Sequence, residues 1–233
     1  MRTGVLLPVF EDDAGPALGR ALEAERAGVD GVFCYDHLWP IGQPERPALA
    51  PFPVLAAVAA VTAKVQLGTL VARVGLVPDA VLLAQFDALT ALAPGRVIAG
   101  LGTGDRLSAG ENEAYGLPFA PAAVRRAQLR ACTGAALRRG LPVWIGDGSE
   151  ATRRIAGATG VALNLWDATP GAVADEARRA EVTWAGPVRD GLAGTLARLA
   201  RAGATWAVFA GAVDLDVLAA AGAALRGGRR PGR

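Results

Sequence analysis

The sequence predicts an α/β fold, a compact (β/α)8 barrel of the triosephosphate-isomerase (TIM) type, from three observations. Apolar stretches of strand length alternate with helical stretches, giving about eight strand–helix units along 233 residues. Most of these strands are continuous apolar runs, which is typical of parallel strands buried on both faces. The first strand leads into Pro8-Val9-Phe10-Glu11 and not into a glycine-rich dinucleotide turn. A doubly wound open sheet is therefore the second choice.

The first four strands are short apolar runs that end at a turn or a polar loop. They cover residues 4–9, 31–35, 65–71 and 96–101. Apolar residues at helical spacing mark the helices between them. The first helix is capped by Asp12 or Asp13 and ends at Gly28. The next two cover residues 54–62 and a stretch opened by Pro78.

The second half of the chain repeats this alternation. Its strands cover residues 142–145, 161–165, 182–185 and 205–210. Its helices begin at Pro121 and Glu150 or cover residues 172–179, 191–202 and 215–225. Two connections are long, a proline-rich loop over residues 40–53 and a polar loop that ends at Gly116. Long loops in compact barrels are often functional or mobile.

Composition narrows the class of protein. Apolar residues make up 52% and charged residues 20%, which indicates a folded globular chain. The net charge of +2 is small and partly due to the last residues, so nucleic acid is not an expected partner. We expect one domain over residues 1–226 and a flexible Arg/Gly-rich tail over 227–233. Cys34 and Cys132 have no metal-ligand spacing and are expected to be reduced and buried.

Localisation and partners follow from what the sequence lacks. The start of the chain has no signal-peptide pattern, and the longest weakly polar run is too short to cross a bilayer. A cytoplasmic protein that binds a small-molecule substrate, with no membrane partner, is the simplest interpretation. A homodimer is left open.

The one histidine, His37, directly follows the second predicted strand, between Asp36 and Trp39. Ligands of parallel α/β barrels bind at the carboxyl ends of the strands. Imidazole is the side chain that titrates near neutral pH, so His37 is a candidate catalytic acid or base. The alternative is a structural histidine that caps a helix or bonds to a backbone carbonyl.

The ends of three other strands supply further candidates. They are Thr69, Leu70 and Val71; Thr103, Gly104 and Asp105; and Gly146, Asp147, Gly148 and Ser149. The glycine-rich turn after strand four lets the backbone approach a flat or anionic ligand. The turn at 146–149 precedes a helix whose N–H groups favour a phosphate. Asp147 would repel a phosphate unless it points away, and Arg153 and Arg154 would have to offset its charge. The alternative is that Ser149 only caps the helix.

Seven segments, taken in order, carry a resemblance to a known superfamily. They are residues 24–33 with Asp36 and His37 after them, 67–71, 83–89, 95–104, 112–116, 142–146 and 202–205. Together they resemble the bacterial luciferase-like flavin and deazaflavin oxidoreductases, most specifically over 95–116. The resemblance implies a compact luciferase-like TIM barrel with a flavin-type ring in its mouth. It also implies a non-proline cis peptide near Leu70-Val71, behind that ring.

Two motifs are similar to the branch of this superfamily that uses the deazaflavin coenzyme F420. One is the Asp36-His37 pair followed by Trp39, and the other is the Thr-Gly-acid turn at 103–105. Asp105 is one methylene shorter than the glutamate usual in that branch. The resemblance implies that His37 and the acid flank the hydride-transfer site and that Trp39 covers the substrate.

Three hypotheses follow for the function. The first is an F420-dependent oxidoreductase that moves hydride to or from a small organic substrate, with His37, Asp36 and Asp105 as catalytic residues. The second is an FMN-dependent monooxygenase that uses oxygen. The third is a non-catalytic homologue that binds flavin or a partner, favoured by the single Lys64, a shortened segment before strand five and Asp147.

Overall fold

The computed structural model describes residues 1–189 and 191–227. Its strands are β1 (Arg2–Leu6), β2 (Gly31–Cys34), β3 (Gln66–Thr69), β4 (Ala72–Arg73), β5 (Val97–Gly102), β6 (Val143–Gly146), β7 (Ala162–Trp166), β8 (Val182–Pro187) and β9 (Trp206–Ala210). Its helices are α1 (Gly15–Ala27), α2 (Pro51–Val61), α3 (Asp79–Leu92), α4 (Ser108–Ala114), α5 (Ala122–Arg138), α6 (Glu150–Thr159), α7 (Pro170–Ala177), α8 (Leu192–Arg201) and α9 (Leu215–Gly227). The predicted tail lies outside the described residues, except for Gly227 at the end of α9.

The strands form a closed parallel barrel. Pairing runs from β1 through β2, β3, β5, β6, β7, β8 and β9 and returns to β1. The sheet closes where β3 pairs with β5, with Leu67 and Gly68 opposite Val97 and Ile98. The short β4 continues the third predicted strand and pairs with the end of β5. The predicted (β/α)8 barrel is confirmed, and closure rules out the open sheet.

Aromatic side chains fill the inside of the barrel. The ring centroid of Phe33 lies 5.0 Å from that of Trp144 and 5.8 Å from that of Trp206. The two tryptophan rings are 5.4 Å apart. Such ring pairs contribute about 0.5–1.5 kcal/mol each beyond the burial of their area. The interior is therefore a packed core and not a pore.

A second apolar layer lies between the barrel and its helices. Helix α3 buries Leu82, Phe86 and Leu89, as their helical spacing predicts, and α8 buries Leu196 and Leu199. Full burial of one such side chain contributes about 1.5–3 kcal/mol, so this layer holds the strands in place. Within the described ranges, each helix is too short or too polar to cross a membrane.

The third predicted strand is interrupted at the mouth. β3 ends at Thr69, β4 begins at Ala72, and the peptide bond between Leu70 and Val71 is cis. This is the position that the resemblance implied. The interruption turns two apolar side chains out of the regular pleat at the carboxyl end of the barrel.

Helix α4 corrects the prediction of a polar loop up to Gly116. Its buried residues are polar: Ser108, Glu111 and Asn112. A helix of this kind has no apolar stripe, so hydrophobic periodicity does not reveal it. Asp105 Oδ1 accepts hydrogen bonds from the N–H groups of Leu107 (2.8 Å) and Ser108 (3.2 Å), which closes the turn that leads into α4.

Helices α1 and α2 also begin differently from the prediction. The residue that precedes α1 is Ala14, and Asp13 accepts a hydrogen bond from the Gly15 N–H at 3.0 Å without capping the helix itself. Helix α2 starts at Pro51 and not at 54, because proline fits the first helical turn. Gly28 ends α1 in the left-handed conformation, as predicted, with φ of 87°.

Candidate active site

A cleft of about 370 Å³ opens among the carboxyl ends of the strands. His37 and Gly104 both line it, so the structure brings the ends of β2 and β5 to one site, as the sequence predicted. Its volume is within the range of about 300–1,000 Å³ that is common for small-molecule sites. The mouth of the barrel is therefore the candidate active site.

One wall of the cleft is aromatic. The ring of Tyr35 stacks on Phe10 at 5.4 Å and lies 5.9 Å from Trp166 and 6.3 Å from His37, measured between centroids. Burial raises the pKa of Tyr35 to about 12, so its hydroxyl stays protonated at neutral pH. This wall offers flat apolar surface to a ligand beside His37.

Leu70 and Val71 line the cleft next to the cis peptide bond. Glycines leave the space that Val71 occupies. A Cβ atom on Gly102 would lie 2.5 Å from Val71 Cγ2, and one on Gly146 would lie 3.0 Å from the same atom. Gly146 therefore supports the lining of the cleft through Val71.

We expect Gly102→Ala to lower the free energy of unfolding by about 1–3 kcal/mol, because the added methyl group overpacks the contact with Val71. Urea denaturation measures the change. Gly110→Ala is the matched control, since no atom lies within 4 Å of a Cβ atom at that position in α4. Equal unfolding midpoints for the two variants would contradict this account of the lining.

The His37 imidazole is held by a buried carboxylate that the sequence analysis missed. Nδ1 of His37 lies 2.8 Å from Oε1 of Glu111, whose side chain is 2% exposed. The other oxygen, Oε2, accepts a hydrogen bond from the Leu38 N–H at 2.7 Å. Nε2 of His37 has no hydrogen-bond partner in the described parts of the chain. Glu111 thus fixes the ring and leaves one nitrogen available.

Arg73 is the second residue that the sequence analysis missed. Its guanidinium donates to Glu111 Oε2 and to the Ser108 carbonyl, both at 3.4 Å, and its side chain is 4% exposed. Its backbone N–H donates to Asp36 Oδ2 at 2.7 Å. The guanidinium Nε is buried without a partner among the described residues. His37 and the buried side chains of Glu111 and Arg73 form one network, which we call the His37 network.

The charges of this network follow from its contacts. Burial alone raises the pKa of the Glu111 carboxyl, but hydrogen bonds from His37 and Leu38 and the charge of Arg73 bring it below its ordinary value. Burial raises the pKa of Asp36 above its ordinary range, although the hydrogen bond from Arg73 opposes the shift. Glu111 is therefore the firmly ionised carboxylate of the site.

Asp105 does not lie beside His37, where the resemblance placed an acid. It is exposed, and its carboxylate accepts hydrogen bonds from the Leu107 and Ser108 N–H groups in the turn that leads into α4. Glu111, six residues further on in sequence, contacts the imidazole instead. A short acid readily bonds to backbone N–H groups two or three residues on, which is the physical reason for the place that Asp105 takes.

Three further candidates, Thr69, Thr103 and Trp39, are not part of the cleft lining. Thr69 is fully buried, and its hydroxyl donates to the Gly100 carbonyl at 2.7 Å. The Thr103 hydroxyl donates to the Gly104 carbonyl at 3.1 Å. The Trp39 ring packs 6.0 Å from that of Tyr115, at the edge of the site. These side chains support the cleft from outside its lining.

The turn at 146–149 is closed by its own hydrogen bonds. Asp147 faces Arg153, with contacts of 3.1 and 2.8 Å, so its charge is offset within the turn. Ser149 caps α6 by accepting from the Thr152 N–H at 3.3 Å. The N–H groups of Gly148 and Ser149 donate to Thr152 Oγ1 at 3.2 and 3.0 Å. The capping role foreseen for Ser149 is present.

Sequence signals for the two missed residues were weak. Arg73 is an isolated charge in the otherwise apolar stretch 69–77, and such a charge near a strand end often has a buried partner. Glu111 is one of two acids around Asn112, and nothing local tells which one is buried. Only the fold of α4 over the mouth of the barrel distinguishes them.

The curated proteins include relatives that match about half of the chain. The F420-dependent glucose-6-phosphate dehydrogenase of Kineococcus radiotolerans is 40% identical over 111 residues, which are 47% of this chain and 32% of that protein. The enzyme of the same name from Beutenbergia cavernae is 43% identical over 109 residues, covering 46% of this chain and 31% of that protein. The matched stretch is thus about a third of each relative's length.

Solved structures share the fold over nearly the whole chain. An F420-dependent secondary alcohol dehydrogenase in complex with an F420–acetone adduct superposes with a TM-score of 0.78 at 14% identity. The match covers 94% of this chain and 97% of that one. The coenzyme F420-dependent tetrahydromethanopterin reductase of Methanopyrus kandleri gives 0.69 at 13% identity, covering 94% and 96%. At such identities the likeness supports the fold alone.

Family membership rests on the sequence of the first part of the barrel. Residues 1–130, more than half of the 233, match the luciferase-like monooxygenase family. This stretch contains the first five strands, the cis peptide bond and the His37 network. The chain therefore belongs to the luciferase-like monooxygenase family, as the resemblance predicted.

Proposed function

We propose that the protein is an F420-dependent oxidoreductase that transfers hydride to or from a small organic substrate. One observation carries the proposal: His37 lines the cleft beside Leu70 and Val71, with Nδ1 bound to buried Glu111 and Nε2 free. A positioned imidazole next to a flat apolar cleft suits an oxidation in which a proton moves together with a hydride. The names of the curated relatives support the same class of reaction.

The residues of the cleft fit a flat deazaflavin ring. Phe10, Tyr35 and Trp166 offer aromatic surface, and Leu70 and Val71 offer an apolar lining on which such a ring can rest. The buried Nε of Arg73 has no partner in the described ranges and suits a ring oxygen or nitrogen. When bound, the deazaflavin supplies or accepts the hydride. The protein contributes binding, orientation and proton transfer.

His37 is the proposed proton carrier. Because the ionised Glu111 accepts from Nδ1, the hydrogen of neutral imidazole lies on Nδ1 and the lone pair on Nε2. Nε2 then accepts the proton of a substrate hydroxyl, or returns one to a carbonyl oxygen in the reverse direction. Glu111 stabilises the imidazolium that forms. Arg73 holds Glu111 in place and keeps it ionised.

Asp36, Gly104 and the turn at 146–149 complete the proposed site. Asp36 lines the cleft, and its Oδ2 accepts the Arg73 backbone N–H at 2.7 Å, which fixes the carboxyl group beside His37. Gly104 allows close approach of the ring. For the turn we keep the proposal of a phosphate contact, supported by the offset of Asp147 by Arg153. Ser149 retains its hydroxyl hydrogen as a donor.

An FMN-dependent monooxygenase is the second candidate, because the family that the chain belongs to is named for monooxygenases.

The non-catalytic alternative loses part of its support. Asp147 was one reason for it, and the ion pair with Arg153, which also contacts Glu176, offsets part of the repulsion of a phosphate at that turn. An active enzyme is thus better supported than a non-catalytic homologue.

We expect the protein to bind F420 more tightly than FMN. The Nε–H of Arg73, which has no partner among the described residues, and the apolar lining suit the ring of either cofactor. The preference for F420 rests on the motifs at Asp36-His37 and 103–105, which resemble the F420 branch. Titration of the protein into each cofactor, followed by cofactor fluorescence, gives both dissociation constants. Tight FMN binding together with an unchanged F420 signal would favour the monooxygenase.

A further inference from the structure

A second cavity of about 470 Å³ adjoins the cleft and lies between the start of α2, helix α3 and the segment that follows α4. Asp36, His37 and Arg73 line both cavities, so these three residues form the wall that the cavities share. We call this second cavity the side chamber. A molecule that reacts beside His37 can extend into it.

The lining of the side chamber is mainly apolar. Its larger side chains are Leu38, Phe52, Val77, Leu82, Tyr115 and Leu117. Its uncharged polar groups include the hydroxyl of Tyr115 and the amide of Gln85, on α3, and that amide has no hydrogen-bond partner among the described residues. Apolar walls with few polar groups are typical of sites that bind uncharged organic molecules.

The side chamber has no cation to spare for an anionic substrate. Arg73 is the one arginine or lysine among the described residues that line the two cavities, and Glu111 already faces it at 3.4 Å. Asp36 adds a carboxyl group to the same wall. The single lysine, Lys64, precedes β3 and so lies at the opposite end of the barrel. A phosphate would meet no unpaired positive charge here.

We propose that the side chamber binds the apolar part of a neutral alcohol or carbonyl substrate, whose reacting group stays beside His37. The proposal rests on the proposed oxidoreductase function and names its substrate class. It separates this chain from a sugar-phosphate dehydrogenase, the activity that the curated relatives are named for. The Gln85 amide offers a second polar contact in the lining of the chamber.

Binding without cofactor tests the substrate class directly. The probe is 4-phenyl-2-butanone, a neutral ketone with an apolar ring, measured by equilibrium dialysis against the full chain. We expect saturable binding that glucose 6-phosphate does not displace. Displacement by glucose 6-phosphate, or no saturable ketone binding, would overturn the proposal.

Two variants locate the bound ketone. Ala48→Trp and Val77→Phe each place a large side chain in the chamber, and we expect either to weaken ketone binding by about tenfold or more. Ala84→Trp on the exposed side of α3 is the matched control and should bind as the original protein does. Ketone binding that survives in both chamber variants would place the probe elsewhere and reject the chamber.

The cofactor titration of the same samples separates this inference from the proposed function. Ketone binding that is lost in Ala48→Trp, combined with no response to F420, supports the chamber and rejects the F420-dependent reaction. F420 binding without ketone binding would support the F420-dependent reaction and reject the chamber as the ketone site. Circular dichroism melting of each variant shows that a loss of binding does not come from unfolding.

Discussion

His37→Asn is expected to lower turnover by about 10²–10⁴-fold, the usual contribution of a positioned acid or base. Asparagine keeps a hydrogen-bond donor towards Glu111 but has no nitrogen that can take up a proton. The dissociation constant of the cofactor should therefore change little, because the apolar lining at Leu70 and Val71 is untouched. Steady-state kinetics and a fluorescence titration of the same variant measure the two quantities.

Other roles for His37 give different results. If the imidazole only orients the ring, cofactor affinity falls together with turnover. If it is a structural histidine, the variant melts at a lower temperature and keeps its turnover. Asp105→Asn is the useful comparison at the same mouth, since its carboxylate bonds to backbone N–H groups just before α4 and does not contact the imidazole. We expect a much smaller loss of turnover from that change.

Glu111→Gln is expected to cost about 3–5 kcal/mol of stability and to reduce turnover as well. The substitution leaves the buried guanidinium of Arg73 without its counter-charge, which is the situation in which breaking a buried ion pair is most destabilising. It also removes the anion that stabilises protonated His37. Urea denaturation measures the stability, and the kinetics of the folded fraction measure the rate.

The pH dependence of stability gives a second test of Glu111. Its pKa is lower in the folded chain than in the unfolded one, where it is about 4.3. Its stabilising contribution is complete above that unfolded value and is lost as pH falls through the lower folded pKa. Wild-type protein should therefore lose more stability than Glu111→Gln between about pH 5 and pH 3. Parallel acid denaturation curves would contradict the ionised state of Glu111.

Hydrophobic pattern was sufficient to predict the barrel. Continuous apolar strands, apolar helix stripes such as Leu82, Phe86 and Leu89, and the glycine after α1 have direct physical causes that act within a short window of sequence. The closed pairing of β3 with β5 follows once eight parallel units are present. The cis bond at Leu70 came from the resemblance and not from the local pattern.

The charged part of the site was less accessible from sequence. His37 and Asp36 lie in the cleft because they end a strand, and strand ends can be predicted. The buried carboxylate of Glu111 bonds to His37, Leu38 and Arg73, which come from distant parts of the chain. A polar side chain that is buried against distant partners leaves no periodic hydrophobic signal in the sequence. For the same reason α4 was predicted as a loop.

The most direct test of the central claim is a single-turnover experiment with oxidised F420 and a neutral secondary alcohol. The visible absorbance of the oxidised deazaflavin reports hydride transfer. We predict that it disappears in the presence of the wild-type protein and decays at least about 10²-fold more slowly with His37→Asn. An unchanged spectrum with wild-type protein, or equal decay rates for the two proteins, would contradict the assignment of His37 to an F420-dependent reaction.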